Sequence, residues 1–153
     1  MIRTEATESV SRPAAETFAF IADVRNDPRW HTDVLEARLI EGTSVDKGAT
    51  FEIKTKPVMG ISGGTVTVSD FAPPTRIVFD VQMGKLVPTT TFTVVPDGDG
   101  CLVTRRIEME PKGLLMRVMA PFMAGMMRKR NVGFLANLKR VLESERAPQG
   151  ERL

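Results

Sequence analysis

The side chains that most often carry enzyme chemistry are scarce in this 153-residue sequence, which has one His, one Cys, one Trp and no Tyr. A lone Cys, Cys101, excludes an intrachain disulfide and a Cys-cluster zinc site, and a lone His excludes a multi-His metal site. We therefore expect no metal and no cofactor, and we assign no catalytic residue. His31 could act as a general base oriented by Asp27 or Asp33, although a surface His without a catalytic role is the simpler interpretation.

Arg105 is a charged side chain on the apolar side of a predicted strand. It shares that side with four apolar residues: Cys101, Val103, Ile107 and Met109. Alternation along the strand points Arg105 inward, where a ligand carboxylate or phosphate could pair with its guanidinium through two hydrogen bonds. Two alternatives remain open: a β-bulge that turns Arg106 inward instead, or a strand end that leaves both side chains in solvent.

The apolar composition is dominated by nine Met and eight Phe. Four Met recur at helical spacing near the C-terminus, where they either line a binding site that adapts to varied ligands or fill an irregular core. Trp30 lies after a turn, where it could stack on a flat ligand or anchor the packing of short helices. The candidate ligand-binding residues are Phe20, Trp30, Phe51, Ile53, Val66, Val68, Phe79, Val81, Arg105, Met119, Met123, Met126 and Met127.

The elements that position these residues begin with a strand at Thr4–Val10. A helix should follow, with Ser11 as its N-cap and its end near Asp23. Pro28 is expected to open a second short helix that carries Trp30 and His31.

Six more strands and a helical region follow. The predicted strands are Val34–Ile40, Thr50–Lys54, Thr65–Asp70, Arg76–Gln82, Thr89–Val95 and Cys101–Met109. Their short connections favour antiparallel pairing. After Pro111 the apolar period becomes helical, and we expect a short helix at Leu114–Ala120 and a long one beginning at Pro121, because proline inside a helix breaks a hydrogen bond.

The glycines at positions 60, 63 and 64 do not form a phosphate-binding loop, because no Gly-Lys-Ser/Thr sequence leads into a helix. A hairpin or a cavity rim is the better interpretation. One domain at residues 1–146 and a frayed tail at 147–153 are expected.

The net charge is +2, but it is unevenly distributed. Residues 1–110 hold 12 basic and 16 acidic side chains, whereas residues 111–153 hold nine basic and three acidic ones. The basic segment is either a solvated helix face or a surface for an anionic partner. We expect no nucleic-acid binding, because the basic cluster Arg128-Lys129-Arg130 has no neighbouring exposed aromatic residues. We expect no transmembrane segment, because no apolar run is long enough to span a membrane. We expect a cytoplasmic location, because residues 1–10 lack the apolar core of a signal peptide and Cys101 is unpaired.

Three local sequences together resemble the polyketide cyclase/dehydrase-type branch (SRPBCC) of the START/Bet v 1-like superfamily. They are Val10-Ser11-Arg12-Pro13 leading into Phe18–Asp23, then Asn26–His31, and then Phe71–Phe79 with its Pro-Pro turn. The resemblance spans residues 4–143 and implies an α+β helix-grip fold, in which a curved antiparallel sheet of about seven strands wraps a long C-terminal helix. It also implies an apolar cavity between sheet and helix, but no catalytic residues, because the fold hosts many functions.

Three functions follow as hypotheses. The first is binding of a small hydrophobic ligand, such as a lipid, an isoprenoid or an aromatic polyketide, by a monomer or homodimer. The second is a polyketide cyclase or dehydratase that works mainly by shape, with Arg105, His31, Thr89, Thr91 and Thr93 as candidates for polar roles. The third is an adaptor that contacts a membrane surface or a protein through the basic C-terminal helix.

Overall fold

Seven antiparallel strands form one curved sheet, as the sequence predicts. A computed structural model describes the backbone of residues 1–58 and 60–151 and the side chains of residues 1–57 and 60–144. The strands are β1 (Ile2–Val10), β2 (Val34–Glu41), β3 (Thr50–Val58), β4 (Ile61–Ala72), β5 (Arg76–Gln82), β6 (Thr89–Asp97) and β7 (Gly100–Met109). Their order across the sheet is β1-β7-β6-β5-β4-β3-β2, so β1 and β2 form the two edges.

Strands β3 and β4 extend beyond the predicted ranges and form one long hairpin around Gly60. Gly60 has a φ of +79°, which glycine adopts without strain. Gly63 and Gly64, expected in a flexible hairpin or rim, belong to β4 itself. A Cβ at Gly64 would lie 2.1 Å from the Gln82 backbone oxygen, so a side chain there would collide with β5.

Two short helices follow β1: α1 (Ala14–Ala22) and a 3-10 helix (Val24–Arg29). The predicted Ser11 N-cap is wrong. Pro13 is the N-cap of α1, with a ψ of 144°, and the Ser11 backbone N–H instead donates to Glu143 Oε2 at 2.9 Å. The 3-10 helix begins before Pro28, because the Asp23 carboxylate accepts a hydrogen bond from the Arg25 backbone N–H at 3.1 Å.

One continuous C-terminal helix, α2 (Leu114–Glu151), replaces the two helices predicted on either side of Pro121. Proline at this position removes the hydrogen bond to the Arg117 carbonyl. The surrounding turns are exposed, so water can satisfy that carbonyl and the helix continues. The tail predicted at residues 147–153 lies at the end of α2, where no side chain is described, and residues 152 and 153 lie outside the described residues.

Residues 131–144 of α2 pack on the concave face of the sheet and run along β1. Lys139 Nζ donates to the Ser9 carbonyl at 2.7 Å, and Glu143 accepts from Ser11, so the helix is tied to the end of β1. Three leucines of α2 are almost completely buried in the core: Leu135, Leu138 and Leu142. This packing positions the preceding turns of α2 over the other end of the sheet.

Candidate functional site

A cavity of about 250 Å³ lies between the sheet and α2. Most of its lining is apolar and comes from inward side chains of the sheet, the segment between α1 and β2, the β5–β6 connection and α2. These apolar side chains include Ile53, Val66, Phe79, Val81, Phe92, Met127 and Phe134. The packed core continues beyond them, so the cavity occupies one end of the interior.

The 3-10 helix ends at Trp30, its C-cap residue, and the side chains of Trp30 and His31 line the cavity. The backbone N–H groups of Trp30 and His31 both donate to the Asp27 carbonyl, at 3.0 and 2.7 Å. His31 stacks on Phe134 of α2, with ring centroids 4.0 Å apart and an interplanar angle of 22°. The chain then enters β2, with the Asp33 carbonyl accepting from the Lys56 backbone N–H at 2.9 Å.

Arg105 on β7 faces the cavity and is only 7% exposed. Arg106 points outward, where its Nε donates to Glu5 at 2.9 Å. Arg105 Nη1 donates to Asn131 Oδ1 at 2.9 Å, and Asn131 Nδ2 donates back to the Arg105 carbonyl at 2.9 Å. Asn131 therefore fixes both the backbone and the side chain of Arg105 from α2.

Three aromatic rings surround the Arg105 guanidinium. Its Cζ lies 6.0 Å from the Trp30 ring centroid, 5.7 Å from that of Phe92 and 5.8 Å from that of Phe134. Cation–π attraction stabilises a charge in such surroundings, but it does not satisfy hydrogen-bond donors. The guanidinium is held in place while part of it remains available.

Four buried polar atoms of the cavity residues have no hydrogen-bond partner in the described part of the chain: Trp30 Nε1, His31 Nδ1, Thr55 Oγ1 and Arg105 Nε. Buried polar groups without partners are rare in proteins, because each one costs desolvation free energy. The Trp30 and Arg105 nitrogens can only donate, and the Thr55 hydroxyl can donate or accept. A ligand with acceptor oxygens would satisfy this set.

The protonation states leave the cavity with an uncompensated positive charge. Burial raises the pKa of Asp27 to about 8, although the nearby Arg105 charge opposes this shift. Burial also lowers the pKa of Arg105 to about 10, and burial together with the Arg105 charge lowers the pKa of His31 to about 3. At neutral pH Arg105 is thus charged, His31 is neutral and most of Asp27 is protonated.

Six lining residues that are not fully buried define the rim of what we take as the cavity mouth. They come from α2, the segment before β2 and the β5–β6 connection: Asp33, Met83, Leu86, Pro88, Met127 and Arg130. Arg130 and Asp33 form a close ion pair across this rim. The Arg130 guanidinium also lies 5.4 Å from the Phe134 ring centroid, so the pair connects α2 to the segment that carries His31.

Seven of the thirteen predicted ligand-binding residues line the cavity: Trp30, Ile53, Val66, Phe79, Val81, Arg105 and Met127. Phe51 and Val68 are buried in the packed core instead, and Phe20 lies half-buried beneath the Arg29 guanidinium. The other methionines do not reach the cavity. Met123 is half-buried, whereas Met119 and Met126 are 43% and 49% exposed on the outside of α2.

Asn131 and Thr55 line the cavity, although neither is among the predicted ligand-binding residues. Asn131 interrupts the apolar period of Met127, Phe134 and Leu138 with a polar side chain, which is the signal that could have indicated it. Thr55 continues the inward side of β3 two residues after Ile53, but the strand was expected to end before it.

Among the described residues no three His, Cys, Asp or Glu side chains gather closely enough to hold a metal ion. None of the described helices combines the length and the apolar character that crossing a membrane requires.

The fold and cavity define a helix-grip protein. A family model described as "Polyketide cyclase / dehydrase and lipid transport" matches residues 1–143, and the chain belongs to this family. No curated protein sequence matches the chain.

Solved structures share the fold at low sequence identity. TTHA0849 from Thermus thermophilus has a TM-score of 0.74 and 13% identity, with 94% of this chain and 98% of that chain covered. The di-domain ARO/CYC protein StfQ from the steffimycin biosynthetic pathway has a TM-score of 0.73 and 16% identity, with 95% and 52% covered. The di-domain ARO/CYC protein BexL from the BE-7585A biosynthetic pathway has a TM-score of 0.72 and 20% identity, with 94% and 47% covered. This chain therefore corresponds to about half of each di-domain protein.

Proposed function

We propose that the protein binds a compact apolar ligand that carries one acidic or strongly hydrogen-bond-accepting group. The observation that carries this proposal is the charged Arg105 guanidinium, which faces the cavity with its Nε unpartnered among the described residues. Its protein partners are a neutral amide, three aromatic rings and a carboxyl group that is mostly protonated at neutral pH. A ligand carboxylate would compensate the charge and accept from Arg105 Nε.

The cavity volume limits the apolar part of this ligand. A cavity of about 150 Å³ holds benzene, so about 250 Å³ suits one or two rings or a short branched chain. A long acyl chain would need more room than this. The size favours an aromatic or isoprenoid acid over a two-chain lipid.

The first experiment measures binding of two probes by titration calorimetry: 2-naphthoate and its neutral analogue 2-naphthamide. We expect the wild-type protein to bind the acid at least about tenfold more tightly than the amide, because only the acid forms charge-assisted hydrogen bonds with Arg105. Arg105→Met should abolish this preference. Arg106→Met, which removes an exposed charge one residue away, should preserve it.

Equal affinity of the wild-type protein for the two probes would contradict the proposal, and so would no binding of either. If Arg105→Met fails to fold, Arg105→Lys provides a second test. A point charge at the end of a flexible chain cannot form the planar, two-bond contact, so the preference for the acid should shrink.

A second candidate function is a cyclisation that needs proton transfer, as the ARO/CYC neighbours suggest. The observation that favours it is the pairing of a protonated carboxyl, Asp27, with a neutral imidazole, His31, on one cavity wall. In an aldol cyclisation of a poly-β-ketone chain, His31 Nδ1 would accept a proton from the carbon between two carbonyls. Asp27 would donate its proton to the attacked carbonyl oxygen, which becomes a hydroxyl group.

The cyclisation is tested with a short poly-β-ketone thioester, followed by mass spectrometry for loss of water from the cyclic product. Asp27→Asn and His31→Asn should each lower kcat by about 10²-fold or more, whereas Arg106→Met should not change it. If both cavity variants turn over at the wild-type rate, or if the wild-type protein yields no product, this candidate is wrong and ligand binding alone stands.

A further inference from the structure

The first turns of α2 present an apolar stripe to solvent on the side opposite the sheet. We call these five residues the outer stripe: Leu115, Val118, Met119, Phe122 and Met126. Their spacing places them on one helix face, and each is between 43% and 73% exposed. Isolated exposed apolar residues are common, but a contiguous stripe marks a surface that contacts another partner.

The opposite side of the same turns is also apolar. It presents Met116, Ala120, Met123 and Ala124 toward the body of the protein. A helix that is apolar on both sides normally lies between two apolar surroundings. The body of the protein supplies the apolar surroundings of one side. The outer stripe therefore requires a second apolar surface on the other side.

The charges around the outer stripe have one sign. Between residues 111 and 142 the sequence has seven Lys or Arg and no Asp or Glu. Four of these cations, Lys112, Arg117, Arg128 and Lys129, are exposed. None of the four forms an ion pair with any residue that the structure describes.

We propose that the outer stripe and its flanking cations dock on the surface of an anionic phospholipid membrane. An apolar helix face inserts at the boundary between headgroups and acyl chains, while neighbouring Lys and Arg side chains contact the phosphates. A second copy of the chain fits less well, because a two-fold dimer through this stripe would bring each cluster of cations close to its own copy. The docked helix lies along the membrane surface rather than crossing it.

Docking at this position places the cavity mouth beside the lipid. Met127 and Arg130 are rim residues of the cavity and closely follow Met126, the last residue of the outer stripe. An apolar ligand could then pass between the membrane and the cavity with little exposure to water. The docking surface itself does not depend on the identity of that ligand.

The test is sedimentation of the full chain with vesicles of equimolar phosphatidylcholine and phosphatidylglycerol, compared with vesicles of phosphatidylcholine alone. We expect binding to the anionic vesicles only, and a loss of most of it when the salt concentration rises from about 0.1 to about 0.5 M. The double variant Val118→Glu/Phe122→Glu should weaken binding at least about tenfold. Arg128→Glu/Lys129→Glu should weaken it to a similar extent through the phosphate contacts.

The matched control is Val95→Glu/Leu102→Glu, which adds the same two charges at exposed apolar residues paired across β6 and β7. This control should bind anionic vesicles nearly as well as the wild-type protein. Circular dichroism should show all three double variants folded, because every substituted side chain is exposed.

Absence of wild-type binding to anionic vesicles would overturn the proposal, and so would equal binding to both vesicle types. Equal loss in Val118→Glu/Phe122→Glu and in the β6–β7 control would also overturn it, since added negative charge alone would then explain the effect. A dimer that dissociates in Val118→Glu/Phe122→Glu, without any vesicle binding by the wild-type protein, would assign the stripe to a second copy instead.

Discussion

Arg105 shows how a single buried cation can be retained in an apolar interior. A buried charge without partners would cost far more than the net stability of the fold can offset. Here the Asn131 amide accepts from the guanidinium and donates to the backbone of the same residue, and three rings stabilise the charge. These contacts hold Arg105 in the cavity without neutralising it, which is what recognition of an anionic ligand group needs.

The Asn131 amide should therefore contribute strongly to stability. Asn131→Ala leaves Arg105 Nη1 and the Arg105 carbonyl without this partner, and we expect the free energy of unfolding to fall by about 2–4 kcal/mol. Urea denaturation measures this change. Asn137→Ala is the control, because among the described residues the Asn137 side chain on the same helix bonds to Arg140 alone, accepting at 3.1 Å. Its loss should cost less than about 1 kcal/mol. Equal losses in the two variants would contradict this role of Asn131.

Asp27 should make the folded protein less stable as the pH rises. Its pKa is about 8 when folded, against an ordinary value of 3.8. Below about pH 4 the carboxyl is protonated in both states; above that only the unfolded state loses its proton, until the folded carboxyl ionises near pH 8. The wild-type protein should therefore lose stability relative to Asp27→Asn as the pH rises from about 4 to about 8. Urea titrations across this range test it, and a constant difference would contradict the raised pKa.

At the scale of the elements, the hairpin of β3 and β4 contains a position where the neighbouring strand lies so close that only glycine fits. Gly64 lies between β3 and β5, where a Cβ would meet the backbone oxygen of Gln82 and the Met83 side chain. The neighbouring backbone cannot withdraw without disturbing the sheet. The pair Gly63 and Gly64 thus belongs to the curved sheet that bounds the cavity and not to a mobile loop.

Gly64→Ala should lower the free energy of unfolding by about 2–4 kcal/mol, because the shortest clash is with the Gln82 backbone oxygen, which cannot move aside as the Met83 side chain can. Gly133→Ala on α2 is the matched control, since a Cβ there meets nothing within 4 Å. It should stabilise the helix by up to about 1 kcal/mol. Thermal and urea unfolding measure both changes, and a neutral Gly64→Ala would show that β4 can shift.

At the scale of the whole molecule, the interior has a packed end and a hollow end. Two inward-facing valines, Val66 and Val94, test this division. Val66 lines the cavity, whereas Val94 is completely buried and is not among the lining residues. One added methylene should find room at the first position and none at the second.

Val66→Leu should change stability by less than about 1 kcal/mol and should weaken 2-naphthoate binding, because it fills space that the ligand needs. Val94→Leu should destabilise the fold by about 1–3 kcal/mol and leave the affinity of the folded protein unchanged. Denaturation and calorimetry of both variants provide the comparison. Equal destabilisation would mean that the cavity collapses in solution.

The order of the strands along the chain and the antiparallel pairing of β2 to β7 could be predicted from the sequence, because alternation and short turns dictate them locally. The pairing of β1 with β7 joins strands from opposite ends of the sheet-forming sequence, and no short turn indicates it. The inward orientation of the Arg105 side chain was predicted from the same alternation. The role of the methionines could not be settled in this way. The first turns of α2 are apolar on both sides, so helical period alone cannot distinguish the side that faces the sheet from the side that faces away. The continuity of α2 through Pro121 was missed for a related reason, since it depends on water reaching an exposed carbonyl.

The Arg130–Asp33 ion pair at the cavity rim has a kinetic consequence. A ligand that enters or leaves at this rim must pass between α2 and the segment before β2, which the pair holds together. Opening a partly exposed ion pair costs little free energy and becomes easier as salt screens the charges. Residence times of a bound ligand should accordingly shorten in high salt or in Asp33→Asn, with association accelerated to a similar degree. In the proposed ligand-binding function, the rim pair influences how fast a ligand exchanges, whereas Arg105 selects which ligand is retained.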